Sequence, residues 1–470
     1  MRKISYHLFT GKNNEKYVFD FNKIVPIHIN ENMYSVLLKL EKEAAEGMIN
    51  ERKIRENLGA YPELINIIDE GLLFTDNADK KEESIQEQYC FSFAPIYACN
   101  LSCKYCFSNR KKEVKYMPID IIEKTLLFFF ETFKFTNYRI DFVSGGEPLF
   151  DKQHFKACIN RINEVNAKYN KKCVYWLVTN SINLDEDILD FLDANNFQMG
   201  ISIDGPQEVH NHCRKTIEGK DTYLDVIKQI RMIINNARIS RRIKNIWALS
   251  VITSKTKSLD AIIEHHNQEK IKNMQMKVVR TNNRNYKPDY IYLKNLYSNL
   301  LDYLKLLLGE NNIEKFCSIM NMNDYFGKFF CRIMLHISVN RRCNAGKSRF
   351  SISPEGQIFA CDSFVGIDEF CLGSIFEGFN DQYLIFQSHE VNKCNPCNKC
   401  WAKKVCGGDC MHNSYKTNKN IAVPDPDICN LNLFLIEQII ELILTMASEY
   451  PEFSKRVYSI ILQRFLLSEV

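Results

Sequence analysis

The stretch CNLSCKYC at residues 99–106 sets three cysteines, Cys99, Cys103 and Cys106, four and three positions apart. A tight loop with this spacing can bring the three sulfurs into one small volume, and grouped thiolates of this kind hold iron–sulfur clusters. Three ligands on a four-iron cubane leave one iron open to bind another molecule. A structural zinc site needs a fourth ligand, and the residues between and beside these cysteines include no histidine. The loop therefore predicts a 4Fe–4S cluster with an open iron.

Outward from this loop, the chain alternates regularly between strand-like and helix-like segments. Helical patterns follow the strand-like runs, which lie at residues 90–98, 138–144, 173–179, 198–203, 245–253 and 274–279. Consecutive strand–helix units form parallel sheets. Six units rather than eight predict an α/β fold with a partial, TIM-like (βα)6 barrel. The active site of such a barrel lies at the carboxyl ends of its strands.

Unusual polar motifs follow four of these strands. The first strand leads into the cysteine loop, and the second leads into SGGEP at residues 144–148. The third ends at TNS, residues 179–181, and the fourth at SIDGP, residues 202–206. Because the carboxyl ends of parallel strands meet at one edge of the barrel, we expect all four motifs to surround one opening.

The CX3CX2C loop, GGEP after the second strand and SIDGP after the fourth strand resemble, in this order, the radical S-adenosylmethionine (SAM) superfamily. The resemblance implies a partial radical SAM barrel whose open iron chelates the amino and carboxylate groups of SAM. One electron from the cluster would then release a 5′-deoxyadenosyl radical, which abstracts a hydrogen atom from the substrate. The protein would mainly bind, orient and exclude side reactions.

The same resemblance implies a set of SAM-binding residues: Gly145, Gly146, Glu147, Asn180, Ser202, Asp204 and Arg214. The two glycines would allow close backbone approach, and Glu147 would accept hydrogen bonds from the methionine ammonium. Ser202 and Arg214 are candidates for the methionine carboxylate, since arginine offers a bidentate fork. Asn180 and Asp204 are expected at the ribose or the substrate. The alternative for each residue is a turn or a salt bridge, and no catalytic residue is predicted beyond the cluster.

A longer cysteine pattern occupies the C-terminal third. It runs CX12GX4C, then CX2CX5CX3C and a final cysteine, and its members are Cys343, Cys361, Cys397, Cys400, Cys406, Cys410 and Cys429. This cadence resembles the SPASM extension of radical SAM enzymes. The resemblance implies two auxiliary 4Fe–4S clusters, one on Cys343, Cys361 and Cys410, the other on Cys397, Cys400, Cys406 and Cys429. Such clusters can accept the electron that a substrate radical loses when it forms a new bond.

The fourth ligand of the first auxiliary cluster stays open at this stage. Cys331, twelve residues before Cys343, is one assignment, and an open iron that binds a substrate thiolate is the other. Cys394, in CNPCNKC, is a second ligand candidate or a spare thiol. Trp401 and the glycine pair of CWAKKVCGGDC match the subgroup that modifies ribosomally made peptides better than the sulfatase-maturing subgroup.

Residues 1–85 are predicted to form a winged-helix-like domain. A hairpin at residues 4–9 and 16–21 precedes helical patterns at 32–45, 50–58 and 62–71, and a charged linker follows at 76–88. This layout resembles the peptide-recognition element of peptide-modifying radical enzymes, which binds an extended leader peptide as an added strand. A DNA-binding winged helix is the alternative, but the basic residues of its helices are balanced by acidic ones, so no basic recognition face stands out.

Composition limits the remaining alternatives. The 470 residues carry a formal net charge of +4, which gives no argument for a nucleic-acid partner. No uncharged apolar run reaches the length of a membrane span. The nearest run, 431–446, is interrupted by Glu437, Gln438 and Glu441 and predicts helices that pack on the protein. Eighteen cysteines and no export signal indicate metal binding in a reducing cytoplasm rather than disulfides.

The predicted organisation is a peptide-recognition domain at residues 1–85, the radical SAM barrel at 86–330, the SPASM domain at 331–430 and C-terminal helices at 431–470. The predicted function is oxidative modification of a ribosomally made precursor peptide, giving a thioether or another side-chain crosslink. The partners are the precursor peptide and an electron donor such as flavodoxin or ferredoxin. The alternatives are a maturase that oxidises a protein cysteine or serine, as in sulfatases, and a non-catalytic iron–sulfur or zinc regulator that binds DNA.

Overall fold

The computed structural model describes residues 2–44, 47–75, 88–108, 112–143, 145–281 and 283–468. All but one residue of the predicted linker, 76–88, and Ser144 of SGGEP lie outside the described residues.

The N-terminal part forms two small sheets and three helices. Its strands are β1 Arg2–Ile4, β2 Tyr6–Thr10, β3 Lys16–Asp20, β4 Val25–Ile29, β5 Met48–Ile49 and β6 Phe74–Thr75. Its helices are α1 Glu31–Glu43, α2 Glu51–Leu58 and α3 Pro62–Asp69. The sheets have the orders β2–β3–β4 and β5–β1–β6. The described part of this segment has a hydrophobic core of its own, to which Val18, Leu37, Ile54 and Leu64 contribute, and the hairpin and helices predicted here are present.

The middle of the chain contains the strands and helices of the barrel. Its strands are β7 Tyr89–Phe93, β8 Ile96–Ala98, β9 Lys112–Tyr116, β10 Asn137–Phe142, β11 Lys172–Thr179, β12 Phe197–Ser202, β13 Trp247–Ile252 and β14 Asn273–Val278. Its helices are α4 Ile119–Thr132, α5 Lys152–Tyr169, α6 Glu186–Ala194, α7 Gln207–Cys213, α8 Tyr223–Asn235, α9 Arg241–Lys244, α10 Leu259–Gln268, α11 Tyr290–Gly309, α12 Ile313–Cys317 and α13 Gly327–Met334.

Six parallel strands, β7 and β10–β14, are adjacent in chain order within one sheet. The predicted α/β class and partial barrel are therefore confirmed. Asp151, Asp185 and Ser258 cap α5, α6 and α10 by accepting hydrogen bonds from backbone amides, so each strand-end loop is closed by a helix N-terminus. The caps at Asp151 and Asp185 follow the loops that carry SGGEP and TNS.

The prediction of one continuous first strand over 90–98 is wrong. The chain leaves the main sheet after β7, at Ala94 and Pro95, and β8 pairs antiparallel with β9 instead. Proline has no amide hydrogen for a sheet ladder, so a central strand cannot continue through Pro95. Because of this break, the cysteine loop follows a short two-stranded ribbon, β8–β9, and not a strand of the main sheet.

The last part of the chain extends the barrel sheet. Its strands are β15 Arg349–Ile352, β16 Gln357–Phe359, β17 Cys371–Ser374 and β18 Gly378–Phe379. β15 pairs in parallel with β7, and β16–β18 continue antiparallel. At this junction the buried Asp141 carboxylate accepts hydrogen bonds from Arg139 at 2.6 and 2.9 Å and lies 3.1 Å from the Arg349 guanidinium. The extension was not predicted.

Five helices complete the C-terminal part: α14 Asp381–Gln387, α15 Lys403–Cys406, α16 Met411–Asn418, α17 Pro426–Glu449 and α18 Pro451–Ser468. Among the described residues, only α17 is long and apolar enough to cross a membrane. It packs against α11, α13 and α18. Its buried residues include Asn432 and Glu441, and its apolar face belongs to the main hydrophobic core. α17 is thus a core helix of this fold.

The N-terminal segment contacts the C-terminal part through β2. The His7 ring stacks on the Trp401 indole with 3.8 Å between ring centroids, and His7 Nε2 lies 2.9 Å from the Glu437 carboxylate. The Lys12 amide donates to Glu441 at 3.3 Å. Trp401 follows Cys400 directly, so this contact lies next to one of the auxiliary cysteines.

Candidate functional site

The cysteine loop follows β8 and is paired with a second segment, residues 213–217. The Ser102 amide donates to the Lys215 carbonyl at 2.8 Å, and the Lys104 amide donates to the Cys213 carbonyl at 3.0 Å. Burial, followed by the charge of Glu147, raises the pKa of Cys99 to about 12, and smaller contributions come from Cys103 and Cys106. The three cysteines thus lie close enough to interact, and a thiolate here needs a nearby positive centre.

Tyr105, inside the cysteine loop, ties it to the fourth strand. Its hydroxyl donates a 2.6 Å hydrogen bond to the buried Asp204 carboxylate. Arg214 donates to the same carboxylate from Nε at 3.0 Å and from Nη2 at 3.2 Å, and its guanidinium lies 5.4 Å from the Tyr105 ring centroid. The fork of Arg214 is therefore engaged by Asp204. Asp204 therefore forms the salt bridge that the sequence analysis gave as the alternative to a ribose or substrate contact.

A buried histidine, His210, packs beside the Asp204–Arg214 pair. His210 Nδ1 accepts a 3.4 Å hydrogen bond from the Asp204 amide, and Nε2 lies 3.0 Å from the Thr222 hydroxyl. Thr222 in turn donates to the Arg214 carbonyl at 2.7 Å. Burial lowers the pKa of His210 to about 4. The imidazole is therefore neutral near pH 7, with its proton on Nε2.

Glu147 links the second strand of the barrel to the third. Its buried carboxylate accepts hydrogen bonds from the Thr179 hydroxyl at 2.6 Å and from the Asn180 amide at 2.8 Å. Burial raises the pKa of Glu147. Asn180 Nδ2 donates to Asn100 Oδ1 at 2.7 Å and lies 3.9 Å from Cys99 Sγ. Glu147 and Asn180 therefore lie together beside the cysteine loop.

The glycines of the second motif are required by close packing. A Cβ on Gly146 would lie 2.2 Å from the Ala98 carbonyl oxygen, and one on Gly145, whose φ is +93°, would lie 2.3 Å from the Ala94 Cβ. The two glycines therefore pack closely against the segment that runs from Ala94 to the end of β8. Ser202 lies half-buried at the end of β12, on the same rim of the barrel.

The seven SPASM-like cysteines separate into two groups. Burial, and then the charges of Asp362, Cys410 and Cys343, raise the pKa of Cys361. Burial, and then interactions that include Cys406, Cys397 and Cys400, raise the pKa of Cys429. Cys361 thus interacts with Cys343 and Cys410, and Cys429 interacts with Cys397, Cys400 and Cys406. The assignment of these residues to two cluster-binding sets stays a prediction.

The two additional cysteines lie in different surroundings. Cys331 is buried on α13 in the main hydrophobic core, and its pKa is raised by burial; its charge interactions are with Arg464, Asp324, Cys317 and Arg332. Cys394 packs beside Cys397, and its thiol donates to the Glu390 carbonyl at 3.3 Å. The structure thus places Cys394, but not Cys331, next to a cysteine of the predicted sets.

An arginine and two aromatic rings connect the cysteine loop to the first auxiliary group. Arg280, after β14, donates from Nη1 to Cys410 Sγ at 3.5 Å, and its guanidinium lies 5.4 Å from the Phe107 ring centroid. The Phe107 and His412 ring centroids are 6.3 Å apart. Sequence reasoning missed these residues; the available signals were a basic residue after the sixth strand and a histidine two positions after Cys410.

These residues border a cleft of about 630 Å³, including its open mouth. Phe107 and Gly145 line its barrel side, and Ser351, Ser363 and His412 line the opposite side. Within the described residues, Ser351 Oγ, Ser363 Oγ and His412 Nδ1 are buried and have no hydrogen-bond partner. Burial lowers the pKa of His412 to about 3. The cleft can therefore offer uncharged hydrogen-bonding groups to a ligand.

The donor chemistry of the cysteine groups suits iron–sulfur clusters. Across the described ranges, no three His, Cys, Asp or Glu side chains converge tightly enough to hold a single metal ion. A cubane needs a wider cradle, because each cysteine binds a different iron, and its ligands are thiolates. Arg280 beside Cys410 supplies a positive charge next to such thiolates.

Comparison with known proteins identifies a domain in the middle of the chain. Residues 93–246 match the model of the Radical SAM superfamily. The chain is 26% identical over 336 residues to a cysteine-type anaerobic sulfatase-maturating enzyme of Clostridium perfringens, covering 66% of this chain and 85% of that protein. It is 23% identical over 378 residues to the radical SAM cyclopropyl synthase TigE of Paramaledivibacter caminithermalis, covering 73% of this chain and 72% of that protein.

A solved structure shares the fold. Native anSMEcpe with bound AdoMet superposes with a TM-score of 0.62 at 22% sequence identity, covering 76% of this chain and 99% of that chain. Enzymes of the radical SAM family bind SAM and a 4Fe–4S cluster. The chain carries a radical SAM domain on this α/β fold and is a radical SAM enzyme related to the anaerobic sulfatase-maturating enzymes.

Proposed function

We propose that this enzyme oxidatively modifies a ribosomally made precursor peptide and forms a thioether or another side-chain crosslink. The observation that carries the proposal is the cleft between the barrel mouth and the first auxiliary cysteine group. Ser351, Ser363 and His412 line this cleft, and each has a buried polar side-chain atom with no hydrogen-bond partner among the described residues. Neutral donors and acceptors of this kind suit the amides of a peptide chain.

In this proposal Cys99, Cys103 and Cys106 hold the SAM-binding cluster. When bound, the cluster and SAM would supply one-electron cleavage and a 5′-deoxyadenosyl radical. Tyr105 and the Asp204–Arg214 pair hold the cysteine loop against the fourth strand. The remaining assigned residues, Gly145, Gly146, Glu147, Asn180 and Ser202, border the SAM site.

The SPASM-like cysteines would hold two auxiliary 4Fe–4S clusters. The burial of Cys331 in the apolar core supports the assignment in which the cluster of Cys343, Cys361 and Cys410 keeps an open iron. The four-cysteine group would be complete with Cys397, Cys400, Cys406 and Cys429, leaving Cys394 as a neighbouring thiol. The domain boundaries that follow are 1–85, 86–330, 331–430 and 431–470.

The N-terminal domain would dock the leader of the precursor. Its β2–β3–β4 sheet has two edge strands, β2 and β4, to which an extended peptide can add. The contact of His7 with Trp401 fixes this domain beside the auxiliary cysteines. A flavodoxin or ferredoxin would supply electrons, and the need for a reducing environment supports a cytoplasmic location in this proposal. No nucleic acid is required.

The second candidate is maturation of a protein cysteine or serine, as in sulfatases. It is favoured by the similarity to anaerobic sulfatase-maturating enzymes over 85% of their length. Native anSMEcpe has also been solved with bound AdoMet and the Cp18Cys peptide, at a TM-score of 0.61 and 21% identity to this chain. Both functions use a peptide substrate, and they differ in whether the N-terminal domain is needed for binding.

Anaerobic reconstitution tests the enzyme class. We expect about twelve irons per chain, four for each cubane, and reductant-dependent release of 5′-deoxyadenosine. Cys99→Ala, Cys103→Ala and Cys106→Ala together should abolish this release, while Cys158→Ala, at a buried cysteine outside the groups, should retain it. Bound zinc without SAM cleavage would instead support the non-catalytic regulator.

Docking is tested with the peptides encoded beside the gene and with a cysteine-containing sulfatase peptide. Removing residues 1–75 should weaken binding of the precursor at least tenfold while SAM cleavage without peptide persists. Modification of the sulfatase peptide by the full chain and by the truncated chain alike would favour the second candidate. A short cysteine-rich reading frame next to the gene would point to a thioether product.

A further inference from the structure

Three buried or half-buried cations surround the four-cysteine auxiliary group. Lys328 and Arg332 lie one helical turn apart on α13 and are 7% and 6% exposed. Arg342 precedes Cys343 and is half-buried. All three interact electrostatically with Cys406. We call these three residues the cation wall.

The direct partners of the cation wall are neutral. Arg332 Nη1 donates to the Val405 and Cys406 carbonyls at 2.7 and 3.2 Å, and its buried Nε has no partner among the described residues. Arg342 Nη1 donates weakly to the Gly408 carbonyl at 3.4 Å. The Lys328 ammonium lies over two aromatic rings, 4.4 and 4.5 Å from their centroids. Neutral partners solvate these charges but do not balance them.

Two buried carboxylates, Asp409 and Asp324, face this group. Asp409 interacts with Lys328 and Arg342, and Asp324 interacts with Lys328. Both carboxylates are held mainly by uncharged donors, for example the Asn413 amide to Asp409 at 2.8 Å. When charged, these three basic residues face only two carboxylates. Burial lowers the pKa of Lys328 and of Arg332, so their charged forms are stable only beside a further negative charge. Uncompensated buried charge is strongly unfavourable, so the site calls for a further anion.

The cysteine group supplies that anion when it carries metal. A 4Fe–4S cluster bound by four thiolates has a net negative charge and gains another on reduction. We propose that Lys328, Arg332 and Arg342 neutralise the auxiliary cluster of Cys397, Cys400, Cys406 and Cys429 and raise its reduction potential. This inference rests on the proposed function, and the three residues act as positioning residues for the electron acceptor.

The raised potential would serve the oxidative step. For a thioether product, a substrate carbon radical bonds to the sulfur of a thiol, the S–H bond breaks and the proton leaves to water. One electron remains, and an oxidised 4Fe–4S cluster held by Cys397, Cys400, Cys406 and Cys429 would supply the acceptor for it. Nearby positive charge favours this reduction because it stabilises the added negative charge.

Lys328→Met gives the cleanest test, because the Lys328 ammonium lies over two rings without a hydrogen bond or ion pair within the described residues, and methionine keeps the apolar stem. The full chain would carry Cys99→Ala, Cys103→Ala and Cys106→Ala, so that only auxiliary clusters remain after anaerobic reconstitution. In an EPR-monitored redox titration, the ratio of reduced to oxidised auxiliary cluster at a fixed potential should be at least tenfold lower with Lys328→Met than without it. For one electron this equals a midpoint shift of about 59 mV downward.

A matched control and a second variant complete the test. Lys294 also lies over a ring, 5.3 Å from the Phe434 centroid, but it is exposed on α11, so Lys294→Met should not move the midpoint. Lys328→Arg keeps the charge and should preserve the midpoint. If Lys328→Met does not fold, Arg342→Gln carries the same expectation, since its one hydrogen bond is weak.

The outcomes separate the inference from the function. Lower midpoints in Lys328→Met or Arg342→Gln, with no change in Lys294→Met, support the cation wall. Unchanged midpoints with intact auxiliary clusters overturn the cation wall and leave the proposed function standing. Absence of auxiliary clusters from the reconstituted wild-type chain overturns the proposed function itself, together with the inference.

Discussion

Replacing Tyr105 with phenylalanine removes one hydroxyl from the contact that holds the cysteine loop. Tyr105 is buried, and its 2.6 Å hydrogen bond ends on a carboxylate. Hydrogen bonds to charged groups contribute about 1.5–3 kcal/mol to stability. Asp204 keeps the two bonds from Arg214 and one from the Val251 amide at 3.0 Å, so no charge is left unpaired. We expect local opening of the loop to become easier by about 2 kcal/mol.

Native-state hydrogen exchange measures this opening directly. The Ser102 and Lys104 amides are protected by the carbonyls of residues 215 and 213. A decrease of about 2 kcal/mol corresponds to exchange about 30-fold faster, at about 1.4 kcal/mol for each factor of ten. The measurement uses the metal-free chain and peptide fragments that cover residues 99–108.

Tyr415→Phe is the matched control. Its hydroxyl donates to the Glu369 carboxylate at 3.0 Å, but this pair is exposed to solvent. Exposed charged pairs contribute about 0–1 kcal/mol, so exchange near Tyr415 should change by less than about fivefold. Unchanged exchange at Ser102 and Lys104 in Tyr105→Phe would refute the idea that this hydroxyl anchors the loop.

Three further predictions concern the surroundings of the site. Burial lowers the pKa of His210 to about 4, below its ordinary value, so the contribution of the neutral ring to stability is complete above about pH 6.5 and is lost as pH falls toward 4. Urea unfolding should therefore show about 2 kcal/mol less stability at pH 5 than at pH 7 from this group. His210→Gln should reduce this pH dependence of stability by the same amount. Gly146→Ala should displace the second motif and cost about 3 kcal/mol or more of unfolding free energy, whereas Gly219→Ala, with open space around its Cβ position, should cost about 1 kcal/mol; equal costs in urea unfolding would contradict the packing argument. Trp401→Ala removes the stacking partner of His7, so hydrogen exchange in β2 should accelerate about tenfold, and unchanged exchange would show that the stack does not hold the N-terminal domain.

Regular alternation made most of the fold predictable. The apolar pattern of each strand and helix is local in the sequence, so the strands β10–β14 could be placed within one or two residues of their observed bounds. The break at Pro95 was readable in principle from the missing amide of proline. The pairing of β15 with β7 was not readable, because Arg349–Ile352 is a short strand whose partner lies more than 250 residues away in the chain.

The cysteine loop at residues 99–106 was predicted from its local spacing and the two auxiliary sets from a family resemblance, whereas the contacts around them were not predictable. Asp204 and Arg214 are separated by ten residues, and no periodicity shows that they pair through two hydrogen bonds. Glu147 was predicted as an ammonium acceptor, and its observed partners, Thr179 and Asn180, come from the next strand. Such contacts depend on how strand ends are juxtaposed, and a single sequence contains no direct record of that juxtaposition.

The parallel pairing of β15 with β7 has a mechanical consequence. Adjacent strands in a sheet are held about 4.8 Å apart by their ladder of hydrogen bonds. The barrel and the C-terminal part, which carry the cysteine groups, are therefore joined by a continuous sheet and not by a flexible linker. The separation between the barrel mouth and Cys361, which follows the next strand in the sheet, is therefore a constant of the architecture. We therefore expect the path for an electron between these two groups to keep the same length when a substrate occupies the cleft.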